Sequence, residues 1–251
     1  MDGTYRALAG CYDAMTEDVN YPAWADFLEK LFAREKRPVR TVLDLACGTG
    51  TMTFLLAHRG YEMIGVDYSP DMLAVAAEKT VEEGAIPPVF LCQPMEKLDL
   101  YGTVDACVCL LDSVNHITRK KHLQEALHRV WLFLEPGGVF IFDIHTPEHL
   151  ASLDGEVFLD ETEDAYCVWR TEYDRRRRVC LYAMDVFRRE GDVWLRGSEF
   201  HEEYAYTPAE ITAYLRAAGF TGIRQYGDRK LRKPVAGEDR LFFTARKPAL
   251  Y

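Results

Sequence analysis

Thr41-Val42-Leu43-Asp44-Leu45-Ala46-Cys47-Gly48-Thr49-Gly50-Thr51 spells a strand, a glycine turn and the start of a helix, and no other stretch constrains the chain as much. Four apolar or β-branched residues lead in, as a strand covered on both faces requires. Gly48 and Gly50 let the backbone turn sharply and leave no Cβ between main chain and ligand. The helix that follows begins with free N–H groups near that ligand. Such a loop holds a nucleotide-like molecule by its backbone. It is not the dinucleotide fingerprint G-x-G-x-x-G, because Thr53 stands where the third glycine would be. Nor is it a phosphate loop, which ends in Gly-Lys-Ser/Thr. Asp44, inside the strand, suits a cationic ligand better than a pyrophosphate. The next strand, Glu62–Asp67, ends in an acid placed to accept ribose hydroxyls.

Asp44-Leu45-Ala46-Cys47-Gly48-Thr49-Gly50, then Val66-Asp67-Tyr68-Ser69-Pro70-Asp71-Met72, then Leu134-Glu135-Pro136-Gly137-Gly138 together resemble a class I methyltransferase that uses S-adenosylmethionine, of the small-molecule type, as in sugar-nucleotide N-methyltransferases. The resemblance covers roughly residues 38–146 and the C-terminal strands. It implies an α/β fold: a Rossmann-like seven-stranded methyltransferase sheet with an inserted antiparallel β-sheet subdomain. It implies S-adenosylmethionine as cofactor and S-adenosylhomocysteine as product. The contacts it implies are Tyr5, Tyr12, Asp44, Ala46, Gly48, Gly50, Asp67, Tyr68, Met72, Gln93, Met95, Leu110 and Asp112, with His116 and Tyr12 as catalytic candidates. Relatives place an acid before the methionine after the third strand; here Gln93-Pro94-Met95-Glu96 has proline there.

The chain has 251 residues, 48% of them hydrophobic, enough for one substantial core with a smaller appendage. A net charge of −10 disfavours sequence-independent binding to nucleic acid or anionic membrane. No basic region followed by an apolar stretch opens the chain, and no apolar run is long enough to span a bilayer. Seven cysteines, an odd number with several in apolar strands, read as reduced thiols of a cytoplasmic protein.

Residues 1–37 are expected to form an arm and a helix that cover the cofactor. The helix is predicted from Tyr21-Pro22 to Lys36, with Trp24, Phe27, Leu28, Leu31 and Phe32 on one face. Tyr5 and Tyr12 are either arm packing or a flap that closes over the cofactor. The core spans 38–150: a helix over 51–59, a helix capped by Ser69-Pro70, a strand at 88–92, a strand at 105–110, a helix over 119–133 and a strand at 139–144. Cys107 and Cys109 share a strand face without partners at zinc spacing.

Beyond the fourth strand lie Asp112, Ser113, Asn115 and His116, where ligands collect in such sheets. His116 is either a helix-entry histidine or a base and orienter, since histidine titrates close to neutral pH. Asp143 and His145 end the fifth strand near the acceptor. His145, His149 and His201 lack a ligand motif, and no metal is expected.

Residues 151–206 read as four strands with polar turns: an inserted sheet that roofs the acceptor or makes a homodimer contact. Arg175 to Arg178 are a solvated hairpin tip or a phosphate clamp. Trp169, Tyr182, Trp194, His201, Tyr204 and Tyr206 are pocket candidates. Residues 207–251 complete the core with a capping box at Thr207-Pro208-Ala209-Glu210 and strands near 223–226 and 241–245, the last antiparallel. The polar segment 227–239 is predicted as a loop near the pocket mouth.

The expected reaction is methyl transfer to N or O of a small molecule. Methylation of RNA or protein lacks an Asn-Pro-Pro-Tyr-like sequence after the fourth strand and runs against the net acidity. The same loop would also serve a non-catalytic module that senses S-adenosylmethionine. A nicotinamide dehydrogenase is disfavoured by the missing third glycine.

Overall fold

In the computed structural model, which describes residues 8–81, 84 and 86–249, the chain opens with α1 (Tyr12–Met15) and α2 (Tyr21–Phe32). Then come β1 (Thr41–Leu45), α3 (Thr51–His58), β2 (Glu62–Asp67), α4 (Pro70–Glu78), β3 (Val89–Cys92), β4 (Val104–Cys109), α5 (Lys120–Phe133) and β5 (Leu134–His145). After α6 (Pro147–Ser152) the strands β6 (Val157–Glu161), β7 (Ala165–Asp174), β8 (Val179–Glu190) and β9 (Val193–Tyr204) interrupt the alternation. The chain ends with α7 (Pro208–Ala217), β10 (Thr221–Gly227) and β11 (Arg240–Arg246).

Seven strands form one sheet in the order β10-β11-β5-β4-β1-β2-β3, and β6-β7-β8-β9 form a second, antiparallel sheet. The first is the expected Rossmann-like sheet: β1 to β5 are parallel, and β11 runs antiparallel to β5. The period of two along each strand divides its side chains between two cores. Leu43, Leu45, Cys107, Cys109, Phe140 and Phe142 face α5 and α7, where Leu123, Leu127, Ile211 and Leu215 are buried. Val42, Ala106, Val108, Val139 and Ile141 face α2 and α3, against Phe27, Leu28, Leu31 and Leu56. Burial on both faces is why these strands read as unbroken apolar runs.

The helix starts follow their caps. Ser69 Oγ accepts the Met72 N–H at 3.3 Å, and Thr207 with Glu210 closes the capping box at 3.2 and 3.0 Å. Two boundaries differ from expectation. α2 stops at Phe32 instead of Lys36, because only Ala33 and then a charged run, Arg34 to Arg37, follow, and Glu35 turns aside to receive Arg246 Nε at 2.7 Å. The stretch 135–138, between the predicted helix and the predicted strand, is a bulge inside β5, whose register against β4 shifts between Val104 and Ala106. A Cβ on Gly138 would stand 2.8 Å from the Glu135 carbonyl and 2.9 Å from that of Asp105, so only glycine allows this approach.

The inserted sheet is tied to the first by Asn115. Fully buried, it accepts the His145 N–H at 3.1 Å, donates to the Tyr204 carbonyl at 3.1 Å, and its main-chain carbonyl accepts the Tyr204 N–H at 2.7 Å. The N-terminal segment reaches the same sheet: Leu8 and Cys11 pack on Cys167, Met184 and Val186, and Glu199 accepts the Leu8 N–H at 3.0 Å. All seven cysteines are free thiols. Among the described residues no helix is long and apolar enough to cross a membrane. Tyr5 lies outside the described residues.

Candidate active site

Between the carboxyl ends of β1, β2 and β4 and the inserted sheet lies a cavity of about 700 Å³. That is within the roughly 300–1,000 Å³ of small-molecule sites. β1 and β4 are neighbours although β2 and β3 come between them in sequence. The strand order reverses at this pair, the place where such sheets bind ligands.

The floor is the glycine turn. Ala46 and Gly48 have φ of +62° and +55°, and nothing lies within 4 Å of where a Gly48 Cβ would stand. Asp67 is buried, and each of its oxygens accepts one backbone N–H: Gly48 at 2.9 Å and Ser69 at 2.8 Å. Each oxygen keeps a lone pair for a further donor. Burial pushes its carboxyl up from the ordinary range. Asp44 is also buried and receives the hydroxyl of Thr53 at 2.5 Å. Burial raises its pKa to about 6, with the Asp67 charge adding to the rise. Thr53, the residue in place of the third glycine, thus orients Asp44.

Gly50 does not line the cavity. Its φ is +77°, and an added Cβ would meet Phe90 at 3.0 Å and Ala76 at 3.3 Å. This glycine serves the turn and its packing on β3, where direct contact with a ligand was expected. Gln93 lines the cavity, but both ends of its amide bond the Asp99 main chain, at 3.1 and 2.8 Å. Tyr68, Met72, Met95, Leu110 and Asp112 line it as well.

Tyr12 enters from α1. Its neighbour Asp13 accepts the hydroxyls of Thr49 at 2.5 Å and Thr51 at 2.9 Å and pairs with Lys79 at 2.6 Å. This clamp fixes α1 to the glycine turn. Burial raises the Tyr12 hydroxyl pKa, so that it stays protonated.

Past β4 the backbone is strained: Leu111 and Asp112 have φ of +55° and +51°. Asp143 holds this turn by accepting the Asp112 N–H at 2.9 Å. Arg240, on β11, pairs with Asp143 and lies 2.8 Å from Asp112. Burial would raise the Asp112 carboxyl, but His145 and Arg240 hold it well below the usual range. Burial prevails at Asp143, which is pushed up despite Arg240. His116 lines the cavity, with Nε2 4.0 Å from Asp112 and its ring edge-on to His201 at 5.9 Å. Asn115 is the clasp described above.

Of the pocket candidates on the inserted sheet, Trp169, Tyr182 and His201 line the cavity. Trp194 is half exposed, and Tyr204 and Tyr206 are buried in the core. The Arg175–Arg178 turn is drawn to acids, Arg177 to Glu202 and Arg178 to Glu210. No residue of 227–239 lines the cavity; the segment folds on itself through Arg232 and Glu238. Arg240 and Glu203 carried no expectation from the sequence. Glu203 lines the cavity and sits 3.1 Å from His145 Nδ1. Asp112, His145 and Glu203 bring ligand-type atoms within 4.8 Å of one another, a trio that three acid–imidazole donors would offer a metal. Arg240 Nη2 stands among them, 2.7 Å from His145 Nε2. His201 is paired instead with Glu199 at 3.0 Å.

Comparison with known proteins gives three consistent results. The methyltransferase-domain family matches residues 42–138. YqeM of Bacillus subtilis (strain 168), a protein provisionally named a methyltransferase, is 31% identical over 245 residues, covering 97% of each chain. A crystal structure of an S-adenosylmethionine-dependent methyltransferase from Clostridium acetobutylicum superposes with a TM-score of 0.86 at 28% identity, over 98% of this chain and 99% of that one. The sugar N-methyltransferase KedS8 from Streptoalloteichus, at 23% identity and a TM-score of 0.77 over 94% and 92%, shares the fold.

Proposed function

This chain belongs to the class I S-adenosylmethionine-dependent methyltransferases, and from that premise we propose that it methylates a nitrogen or oxygen of a small molecule. The observation that carries the reading is the half-open cavity shared by the glycine turn and the inserted sheet. A site roofed in this way admits a small acceptor and excludes water from the transfer.

The residues present fit S-adenosylmethionine. Asp67 retains acceptor capacity for both ribose hydroxyls, Gly48 leaves the main chain bare, and Met72 offers an apolar wall for adenine. Tyr68 and Met95 line the same cavity and would hold the nucleoside, Met95 through its main chain, since the Gln93 amide is held by Asp99. Ala46, Asp44, Leu110, Asp112 and Tyr12 surround the remainder. When bound, the cofactor supplies a methyl carbon already made electrophilic by the sulfonium.

The chain's own task is alignment. Tyr12 donates a hydrogen bond, and His116 orients the acceptor or receives its proton. Names among the similar proteins, a glycine/sarcosine N-methyltransferase and a sugar N-methyltransferase, favour a small amine as acceptor. Calorimetry on ligand-stripped protein tests the foundation: S-adenosylhomocysteine should bind, and no heat on titration rejects the reading. His116→Ala should lower turnover by roughly 100-fold with the acceptor found by labelled-methyl screening of a metabolite extract. An unchanged rate removes His116 from the chemistry.

A further inference from the structure

Three of the groups that close the acceptor side of the cavity are carboxylates, Asp112, Glu202 and Glu203, and among the described residues only one arginine, Arg119, lines it. A buried phosphate needs several cationic or N–H partners, and the nearby cations are already engaged, Arg240 by Asp112 and Asp143 and Arg177 by Glu202, which leaves Glu203, beside His145, as the carboxylate with no arginine or lysine of its own among the described residues to attract a cation. Glu203 is the most enclosed of the three, with 4% of its surface exposed. His145 fixes it. His145 Nδ1 lies 3.1 Å away, while Arg240 occupies the other ring nitrogen at 2.7 Å, an arrangement met by the tautomer with hydrogen on Nδ1. Tyr182, on β8, lines the cavity near the same carboxylate. An ammonium bonded to two oxygens at ~2.9 Å and a tetrahedral angle holds them about 4.7 Å apart. Asp112 and Glu203 place oxygens within 4.8 Å of one another.

Resting on the methyltransferase reading above, we propose that Glu203, held by His145 and facing Asp112 in the cavity, is a catalytic residue that binds the acceptor as an ammonium ion and takes its proton. The acceptor is then an amine that carries no phosphate. The proton passes from nitrogen to a Glu203 oxygen. The freed nitrogen lone pair forms the bond to the methyl carbon, and the carbon–sulfur electron pair stays on sulfur. Glu203 is buried, and moving the proton removes two opposed charges from this wall together. His116 keeps the role of orienting the acceptor. His145 is a positioning residue, and His149, Cys180 and Arg240 complete the polar groups around the carboxylate.

The experiment has two arms. In the first, histidine-ring NMR spectra of the ligand-free protein are followed during titration with methylammonium chloride, sodium chloride or zinc chloride. Methylammonium should move the His145 resonances in the native protein and not in Glu203→Gln, with sodium chloride inert. Shifts from zinc alone would make the trio a metal site and overturn the assignment, and so would the absence of any shift. In the second, label from methyl-labelled S-adenosylmethionine is traced into a metabolite extract. Uptake should vanish when the extract is N-acetylated and persist after anion exchange removes phosphorylated compounds. Uptake that survives acetylation, or that appears only in the anion-retained fraction, overturns the proposal. Glu203→Gln should cut uptake roughly 100-fold, with S-adenosylhomocysteine affinity within about twofold of native as the control for folding, and Glu203→Asp should recover part. His145→Asn, whose amide replaces the Nδ1–H, should retain more turnover than His145→Ala. Failure of the methyltransferase reading itself looks different: the native protein would not bind S-adenosylhomocysteine.

Discussion

The floor of the cavity draws Asp44, Gly48, Asp67 and Met72 from one continuous β-α-β-α stretch, whereas its far wall draws Asp112, Tyr182 and Glu203 from three separate segments and is backed by His145 and Arg240 from two more. The means of support differ as well. On the floor, main-chain N–H groups of Gly48 and Ser69 hold Asp67. On the far wall, side chains hold side chains: Arg240 pairs with Asp112 and Asp143, and His145 with Glu203. Backbone donors come with the turn and survive most substitutions. A side-chain network depends on every member, because losing one leaves a buried charge without its partner. The floor is therefore robust and generic, and the far wall is where this chain is specific and fragile.

The contrast can be broken most directly at Arg240. Arg240→Met leaves Asp112 and Asp143 facing each other in a buried site, and stability to urea should fall by about 3–5 kcal/mol. A loss below about 1 kcal/mol would mean that the far wall does not depend on its ion pairs. On the floor the effect should appear in binding. If Asp67 accepts the ribose hydroxyls as proposed, Asp67→Ala should lower S-adenosylhomocysteine affinity measured by calorimetry by about 100-fold, or about 2.7 kcal/mol.

The smallest effect is a pH dependence on the floor. Asp44, raised to about 6, loses its charge as pH falls through that value, and with it the attraction for the cationic end of the ligand. Affinity should fall by at most about tenfold per pH unit below 6 and be flat above 7. The sign reverses for the ligand-free fold. A carboxyl raised above its unfolded value of 3.8 favours folding below that value, and this contribution is lost as pH rises through about 6. The rise in Tm caused by S-adenosylhomocysteine should thus grow from pH 5 to pH 7. Thr53→Val, which removes the hydroxyl bonded to Asp44, should shift this transition upward in pH.

Much of the floor was legible in the sequence, because a strand, a turn and a helix cap are local patterns. Gly50 shows the limit of that reading. Its positive φ follows from the turn, but whether the missing Cβ faces a ligand or Phe90 depends on where β3 lies. Gln93 is similar, since its amide partner is on Asp99 in the following turn. On the far wall one signal was present and passed over. Glu199, His201 and Glu203 alternate along β9, so the period of two puts three polar groups on one face, and all three are buried. An inward face that is charged where packing calls for apolar residues marks a site. Arg240 gave no such signal, standing at the start of an apolar strand after a polar loop.

By itself the sequence determined the cofactor class, the parallel sheet and the existence of a second sheet, since apolar periodicity, glycine turns and helix caps act over a few residues. Only the tertiary structure decided which polar groups meet across the far wall of the cavity. Arg240 stands opposite His145 because β11 enters the sheet antiparallel beside β5, and Tyr204 meets Asn115 because the inserted sheet folds back over β4. Those neighbours are fixed by strand order and register, and residues far apart in the chain carry no local pattern that announces the meeting.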